Sequence, residues 1–250
     1  MLKHYSPELQ LCAQAHFDAV ITEDEYKITE LFSYDKQIDF IVDIGANLGT
    51  ASVQFQKYYP KAKILVCEPE PELMKYAKLN TGNKLIYVEE AIIGDDRKEV
   101  VFNVCRWQGN HHVDGNFRWD LFEPMGSEKI GEIKVKASTL KDIMDRHNFP
   151  QIDLLKIDTE GMEGQILTKF KPYLNLVKHF RGEWHGDKDR EIMREALKDT
   201  HDIFIDRKHW THGDFFATRK DISETLKKVI EKDGYRIIQR VGLPDLLNTI

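Results

Sequence analysis

From residue 38 onward the chain alternates between short runs of branched apolar residues and longer segments whose apolar positions recur every three or four residues. "IDFIVDIG", "AKILVCEP" and "KLIYVEEAI" have the first pattern; "LGTASVQFQKYYP" and "PELMKYAKLNTG" between them have the second, the latter with Gly82 as its stop. Strand and helix in turn require a parallel sheet, because parallel strands are joined only by a crossover long enough to hold a helix. The pattern therefore predicts an α/β domain with a mostly parallel sheet and helices on both faces. It resumes with "EIKVKAST", a helix capped by Ser138 or Thr139, the strand "IDLLKID", the helix "MEGQILTKFKPYL" and the strand "VKHFRGEW". Beyond these it predicts a helix over 187–199, strands "HDIFIDR" and "DFFATRK", a helix "SETLKKVIEKDG" and a strand "YRIIQRV".

Ahead of the alternation, "SPELQLCAQAHFDAV" suits a helix with Ser6 as cap and Pro7 in its first turn. Thr22 and Glu25 stand at capping-box spacing before a second helix bearing Ile28, Leu31 and Phe32. Residues 1–37 thus read as a helical N-terminal extension, and 38–250 as one Rossmann-like domain. Within it "EVVFNVCRW" adds a strand, after which residues 106–131 show no sustained period and read as a long loop. Trp107, His111, His112, Asp114, Arg118 and Trp119 suit that loop to stacking on a sugar face and bonding its hydroxyls, or to anchoring a solvated loop.

Composition excludes several classes of partner. With a formal charge of −6 and Lys and Arg scattered, the chain offers no continuous cationic face for a phosphate backbone, so nucleic acid is not expected. No apolar stretch has bilayer-spanning length, and "MLKHYSPELQ" lacks the basic-then-apolar plan of a secretion signal, so neither membrane insertion nor export is expected and the cytoplasm is. Cys12, Cys67 and Cys105 have no metal-ligand spacing and read as reduced thiols without a function.

The first strand ends in "IVDIGANLGT". A strand that turns through Gly45 and Gly49 into a helix puts backbone N–H groups and a helix N-terminus at the carboxyl edge of the sheet, where ligands of open α/β sheets bind. Asn47 tolerates the tight turn, and Glu68, about 20 residues on at the end of the next strand, is placed for the ribose hydroxyls of an adenosine. A dinucleotide site would carry a middle glycine and no acid before the first. Here Asp43 precedes Gly45, which disfavours a pyrophosphate and favours the cationic amino group and sulfonium of S-adenosylmethionine.

These stretches, "FIVDIGANLGTASVQF", "VCEPEPE", "EEAIIGDD" and above all "IDLLKIDTEGMEGQIL", resemble the FkbM-type S-adenosylmethionine-dependent methyltransferases over roughly residues 38–185. The resemblance implies a class I methyltransferase fold, a seven-stranded sheet with one antiparallel edge strand, and methyl transfer to oxygen, often a sugar or natural-product hydroxyl. By position it implies Asp43, Gly45, Ala46, Asn47 and Gly49 at the methionine side of the cofactor, Glu68 and Pro69 at the ribose, and Glu90, Ala91 and Ile92 at the adenine.

Methyl transfer to an alcohol needs alignment and removal of the hydroxyl proton, by a base or a divalent cation. Asp158, ending "IDLLKID", is the first candidate, with a helix cap as its alternative role. Lys156 faces the same side of that strand and would hold a substrate oxygen or the Asp carboxylate. Glu163, in a first helical turn, reads as structural. "RGEWHG" places Glu183 and His185 on one face at the mouth of the same cleft, His185 as a second candidate base. Asp158, Glu183 and His185 would also suit Mg²⁺ or Mn²⁺. "DRKHWTHGD" carries His209, His212 and Asp214 in a hairpin that reads as a solvated turn. The expected function is O-methylation of a sugar, glycan or glycosylated small molecule. The competing readings are an N- or carboxyl-methyltransferase of a small molecule and a non-catalytic adenosine-binding module.

Overall fold

The computed structural model describes residues 7–114, 128–205 and 212–223. Helix α1 (Pro7–Phe17) continues into a π-helical turn (Asp18–Thr22), and α2 (Ile28–Tyr34) follows. Because that turn keeps Thr22 helical, Thr22 does not cap α2. Asp24, at φ +52°, does so instead: its carboxylate accepts from the backbone N–H of Ile28 at 2.9 Å and of Thr29 at 3.1 Å. Ser6 lies outside the described residues.

The alternating part runs β1 (Phe40–Ile44), α3 (Thr50–Tyr58), β2 (Lys63–Cys67), α4 (Pro71–Asn80) and β3 (Ile86–Val88). After β4 (Ala91–Ile92), β5 (Glu99–Cys105), β6 (His112–Val113) and β7 (Lys129–Ser138) it resumes with α5 (Leu140–His147), β8 (Ile152–Ile157), α6 (Glu163–Phe170), β9 (Val177–His185), α7 (Asp187–Leu197), β10 (His201–Ile205) and β11 (His212–Arg219). Thr139 caps α5 in a reciprocal capping box with Asp142. Helix α6 stops earlier than its apolar spacing predicts, and the chain continues as a 3₁₀ turn over Lys171–Leu176, where Pro172 lacks the N–H an α-helix needs.

The main sheet has the order β3-β2-β1-β8-β9-β11-β10. All neighbours are parallel except β11, which is antiparallel to both β9 and β10. The reversed strand therefore sits one place inside the edge, because β10 takes the edge and β11 returns between it and β9. Strand order and single reversal make this a class I methyltransferase fold. Period-two alternation divides the apolar side chains between two cores. Val42, Ile44, Leu65, Leu155 and Ile157 pack toward α5, α6 and α7, while Ile41, Ile64, Val66 and Leu154 pack toward α2, α3 and α4.

Two further expectations need correction. "KLIYVEEAI" is not one strand, because β4 leaves β3 and pairs with β7 in a second sheet, β4-β7-β5-β6. The break falls at Glu89-Glu90, where Arg146 holds the Glu90 carboxylate through two bonds of 2.8 and 2.7 Å. Residues 106–131 are not loop throughout: β6 pairs with β5, and β7 begins at Lys129, paired with Cys105. The first part of β7 is largely exposed and lacks the apolar alternation that marks a half-buried strand. Residues 115–127, with Arg118 and Trp119, lie outside the described residues, as do His209 and the helix and strand expected beyond Ser223.

Candidate active site

Strands β1, β2, β8 and β9 all end at one edge of the sheet, above which lies a cavity of about 400 Å³. Its floor is the turn after β1. Gly45, at φ +70°, and Ala46 each donate a backbone N–H to Cys67 O at 3.0 Å, locking the turn to β2. A Cβ on Gly45 would fall 1.7 Å from the carbonyl oxygen of Asp158, so only glycine fits there. Asn47 at φ +51° and Gly49 at φ +74° complete the turn into α3.

Glu68 closes this wall. Its Oε2 accepts from Asn47 N–H at 2.8 Å and its Oε1 from Glu70 N–H at 2.9 Å. Burial pushes its carboxyl up to about 7, against those two donors. Pro69 lines the cavity beside it, and Glu90, Ala91 and Ile92 line it together with Phe102, His111 and Val113. Burial lowers the His111 imidazole to about 4 and so keeps it neutral. His112 is fixed within the fold, its Nδ1 on Asn110 O at 2.9 Å and its Nε2 on the Asn103 amide at 3.1 Å. Asp114 also accepts from Asn103.

Asp43 and Gly49 do not line the cavity. Asp43 is fully buried behind the turn, where Ser52 Oγ donates to its Oδ2 at 2.6 Å and Lys156 Nζ stands 3.5 Å from its Oδ1. Register explains this pairing, since Asp43 and Lys156 are directly opposed on β1 and β8. Lys156 donates to Gly45 O at 2.6 Å and stands 3.6 Å from Asp158 Oδ2. Burial would lower its ammonium; Asp43 and Asp158 outweigh that and raise it.

Asp158 is not a helix cap. Its Oδ2 accepts from Tyr26 Oη at 2.9 Å, and the turn before α6 is held by Glu163, which accepts from the N–H of Thr159 at 2.6 Å and of Gly161 at 3.0 Å. Glu163 Oε1 also lies 3.1 Å from His185 Nδ1. The other ring nitrogen, Nε2, faces Glu183 Oε2 at 3.4 Å, Glu160 Oε2 at 3.6 Å and Asp158 Oδ1 at 3.9 Å. Asp158, Glu183 and His185 thus bring ligand atoms within 4.8 Å of one another, and Glu25, Glu183 and Asp214 form a second such group.

The hairpin expected to be a solvated turn contributes to this end of the cavity. His212 lines it with its ring stacked toward His185 at 6.3 Å, and Asp214 is buried on β11 opposite Glu183. Ala15, His16, Ala19, Val20, Glu25 and Tyr26 form another part of the wall. Sequence reasoning missed all of these, because no local pattern marks a residue that reaches a sheet edge from a preceding helix.

The chain matches the model of the methyltransferase FkbM domain over residues 43–237. It is 27% identical over 241 residues to methyltransferase sdnD from Sordaria araneosa, covering 81% of this chain and 87% of that one. It is 26% identical over 178 residues to the 2-O-methyltransferase NoeI from Sinorhizobium fredii (strain NBRC 101917 / NGR234), covering 65% and 69% respectively. Among solved structures it is similar to precorrin-6y C5,15-methyltransferase from Geobacter metallireducens GS-15, with TM-score 0.44, 13% identity and coverage of 77% and 86%. A putative rRNA-methylase from Clostridium thermocellum gives TM-score 0.46, 8% identity and coverage of 86% and 97%.

Proposed function

The chain belongs to the FkbM methyltransferase family and is an S-adenosylmethionine-dependent methyltransferase, and from that premise we propose that it methylates a hydroxyl of a sugar, glycan or glycosylated small molecule. One observation carries the choice of oxygen: His185 Nε2 faces the carboxylates of Asp158 and Glu183 in the lining of the cavity, at 3.9 and 3.4 Å. Transfer to a carboxylate needs no base, and an amine needs a weaker one than an aliphatic hydroxyl does. The name of NoeI, a 2-O-methyltransferase, supports the same choice.

The donor set fits the cofactor. Glu68 presents a buried carboxylate to the cavity for the ribose hydroxyls, the Gly45–Asn47 turn offers backbone where a larger residue would not fit, and Ala91 and Ile92 offer apolar surface for the adenine. When bound, S-adenosylmethionine supplies an electrophilic methyl group on a sulfonium.

In this reading His185 Nε2 takes the proton of the acceptor hydroxyl while Glu183 orients it. Asp158 is already engaged by Tyr26 and Lys156, and it braces the cavity wall rather than accepting the proton. Carboxylates of Glu25, Asp158, Glu160, Glu183 and Asp214 around this end oppose a phosphate backbone, which supports a small-molecule or saccharide acceptor over nucleic acid. A second reading keeps the same acceptor but places Mg²⁺ or Mn²⁺ on Asp158, Glu183 and His185, an oxygen and nitrogen set that would lower the hydroxyl's pKa. No described helix is long and apolar enough to cross a membrane. Cytoplasmic residence belongs to the proposal, supported by three buried free thiols.

The test is methyl transfer from labelled S-adenosylmethionine to free sugars, nucleotide sugars and short glycans, with and without EDTA, read by mass spectrometry. A methylated sugar whose formation falls about a hundredfold in His185→Gln supports the base reading. Loss on chelation with recovery on added Mn²⁺ selects the cation. Methylation of amines alone, indifferent to His185→Gln, would sink the choice of oxygen.

A further inference from the structure

We infer that Glu163 is a positioning residue for the reaction: its carboxylate holds the His185 ring so that Nδ1 carries the hydrogen and Nε2 is left facing the cavity. The inference rests on the reading that methyl transfer to a hydroxyl draws on His185. Glu163 and His185 lie 22 positions apart on α6 and β9, and both are buried.

Three features make the arrangement directional. The carboxylate is itself fixed: Thr159 N–H and Oγ1 donate to its Oε1 at 2.6 and 3.1 Å, and Gly161 N–H donates to its Oε2 at 3.0 Å. An ionised carboxylate only accepts, so the nitrogen it faces must be the protonated one, and in a neutral ring the other then carries the lone pair. Both side chains are shielded from solvent, so no water competes for the 3.1 Å contact between them.

Asp189 on α7 closes the chain from behind. Its Oδ1 accepts from Gly164 N–H at 2.7 Å, and its Oδ2 lies 3.4 Å from His185 N. Burial, with Glu163 beside it, raises its carboxyl above the ordinary carboxylate range. Gly164 makes room for this contact, since a Cβ there would come within 2.8 Å of Asp189 Oδ1. An acid serving only the first turn of α6 would need none of these alignments.

Glu163→Gln separates the two roles. Glutamine is isosteric and retains one acceptor for the turn, but its amide can donate to Nδ1 and so favours the tautomer protonated at Nε2. The readout is the two-bond ¹H–¹⁵N spectrum of ring-labelled histidines in the full chain bound to S-adenosylhomocysteine, with the His185 signal identified by its loss in His185→Gln. Expected are a hydrogen on Nδ1 in the wild type and a shift toward Nε2–H in Glu163→Gln. A wild-type ring protonated at Nε2 overturns the inference, and that spectrum decides it even if Glu163→Gln does not fold. On any acceptor the wild type methylates, kcat should drop about a hundredfold in Glu163→Gln while the cofactor Kd stays within about twofold, and Glu163→Asp should recover part of the rate. An unchanged kcat would also overturn it. No methylated sugar, with the expected tautomers, refutes the acceptor reading and leaves the positioning role standing.

Discussion

Tyr26 donates its hydroxyl hydrogen to Asp158 Oδ2 at 2.9 Å across 132 positions of sequence. Its ring also faces the Lys156 ammonium, 5.3 Å from the ring centroid, so one residue ahead of β1 braces both charged side chains at the end of β8. Tyr26→Phe keeps the ring and removes the donor. We expect kcat to fall severalfold and the calorimetric Kd for S-adenosylhomocysteine to stay constant, because in the proposed reading Tyr26 braces the acceptor end while Glu68 and the Gly45 turn hold the cofactor. Equal loss of both would place Tyr26 in cofactor binding.

Cofactor affinity should depend on pH through Glu68. In the free protein burial raises its carboxyl to about 7, whereas ribose hydroxyls bound as proposed would donate to the ionised form and lower it in the complex. Binding therefore favours the deprotonated state. Affinity should be full above pH 7 and should weaken as pH falls below it, approaching about tenfold per pH unit until the complex itself protonates. Calorimetry between pH 5.5 and 8 in wild type and Glu68→Gln checks this; a flat wild-type profile would remove Glu68 from the ribose site.

Gly45→Ala should abolish cofactor binding. The added methyl meets Asp158 O at 1.7 Å at a φ of +70°, so the turn must leave β8 or the two strands must part. Thermal unfolding should show a loss of several kcal/mol, the range for backbone conflict in a packed site. A variant with wild-type melting and wild-type Kd would contradict the turn geometry.

Asp35 ties the end of α2 to the sheet. Its Oδ2 lies 2.6 Å from Lys178 Nζ and 2.9 Å from His179 Nε2 on β9, and its Oδ1 accepts from Gln37 N–H. Burial opposes the charge, yet these donors prevail and lower the carboxyl from 3.8 to about 2. A lowered carboxyl contributes stability that is present above the unfolded value of 3.8 and is lost as pH falls through about 2. Asp35→Asn should therefore cost about 2 kcal/mol at neutral pH, with the difference from wild type closing between pH 4 and 2. Denaturant melts at three pH values test both the size and the direction.

Local chemistry determined what was legible in the sequence. Short runs of branched apolar residues set against spacing of three to four mark β1, α3, β2 and α4 without reference to any partner, and the Gly45–Asn47–Gly49 turn with Glu68 after β2 reads directly because each depends on backbone within its own βα unit. Period two even divides Ile41 from Val42 between the two cores. The fold class follows, since helices between parallel strands leave few other arrangements.

Tertiary structure alone decided what the acids and histidines face. Asp43 reads as a cofactor contact, yet the register of β1 against β8 sets it on Lys156 and behind the cavity wall. Glu163 reads as a first-turn acid, and only the approach of β9 brings His185 onto it. Tyr26 and Glu25 enter the same cavity from a segment ahead of the sheet, and His212 from a reversed strand near its edge. Such pairs are joined by sheet order and by the packing of helices across it. These are properties of surfaces that exist only once the chain has folded, and neighbouring residues carry no trace of them.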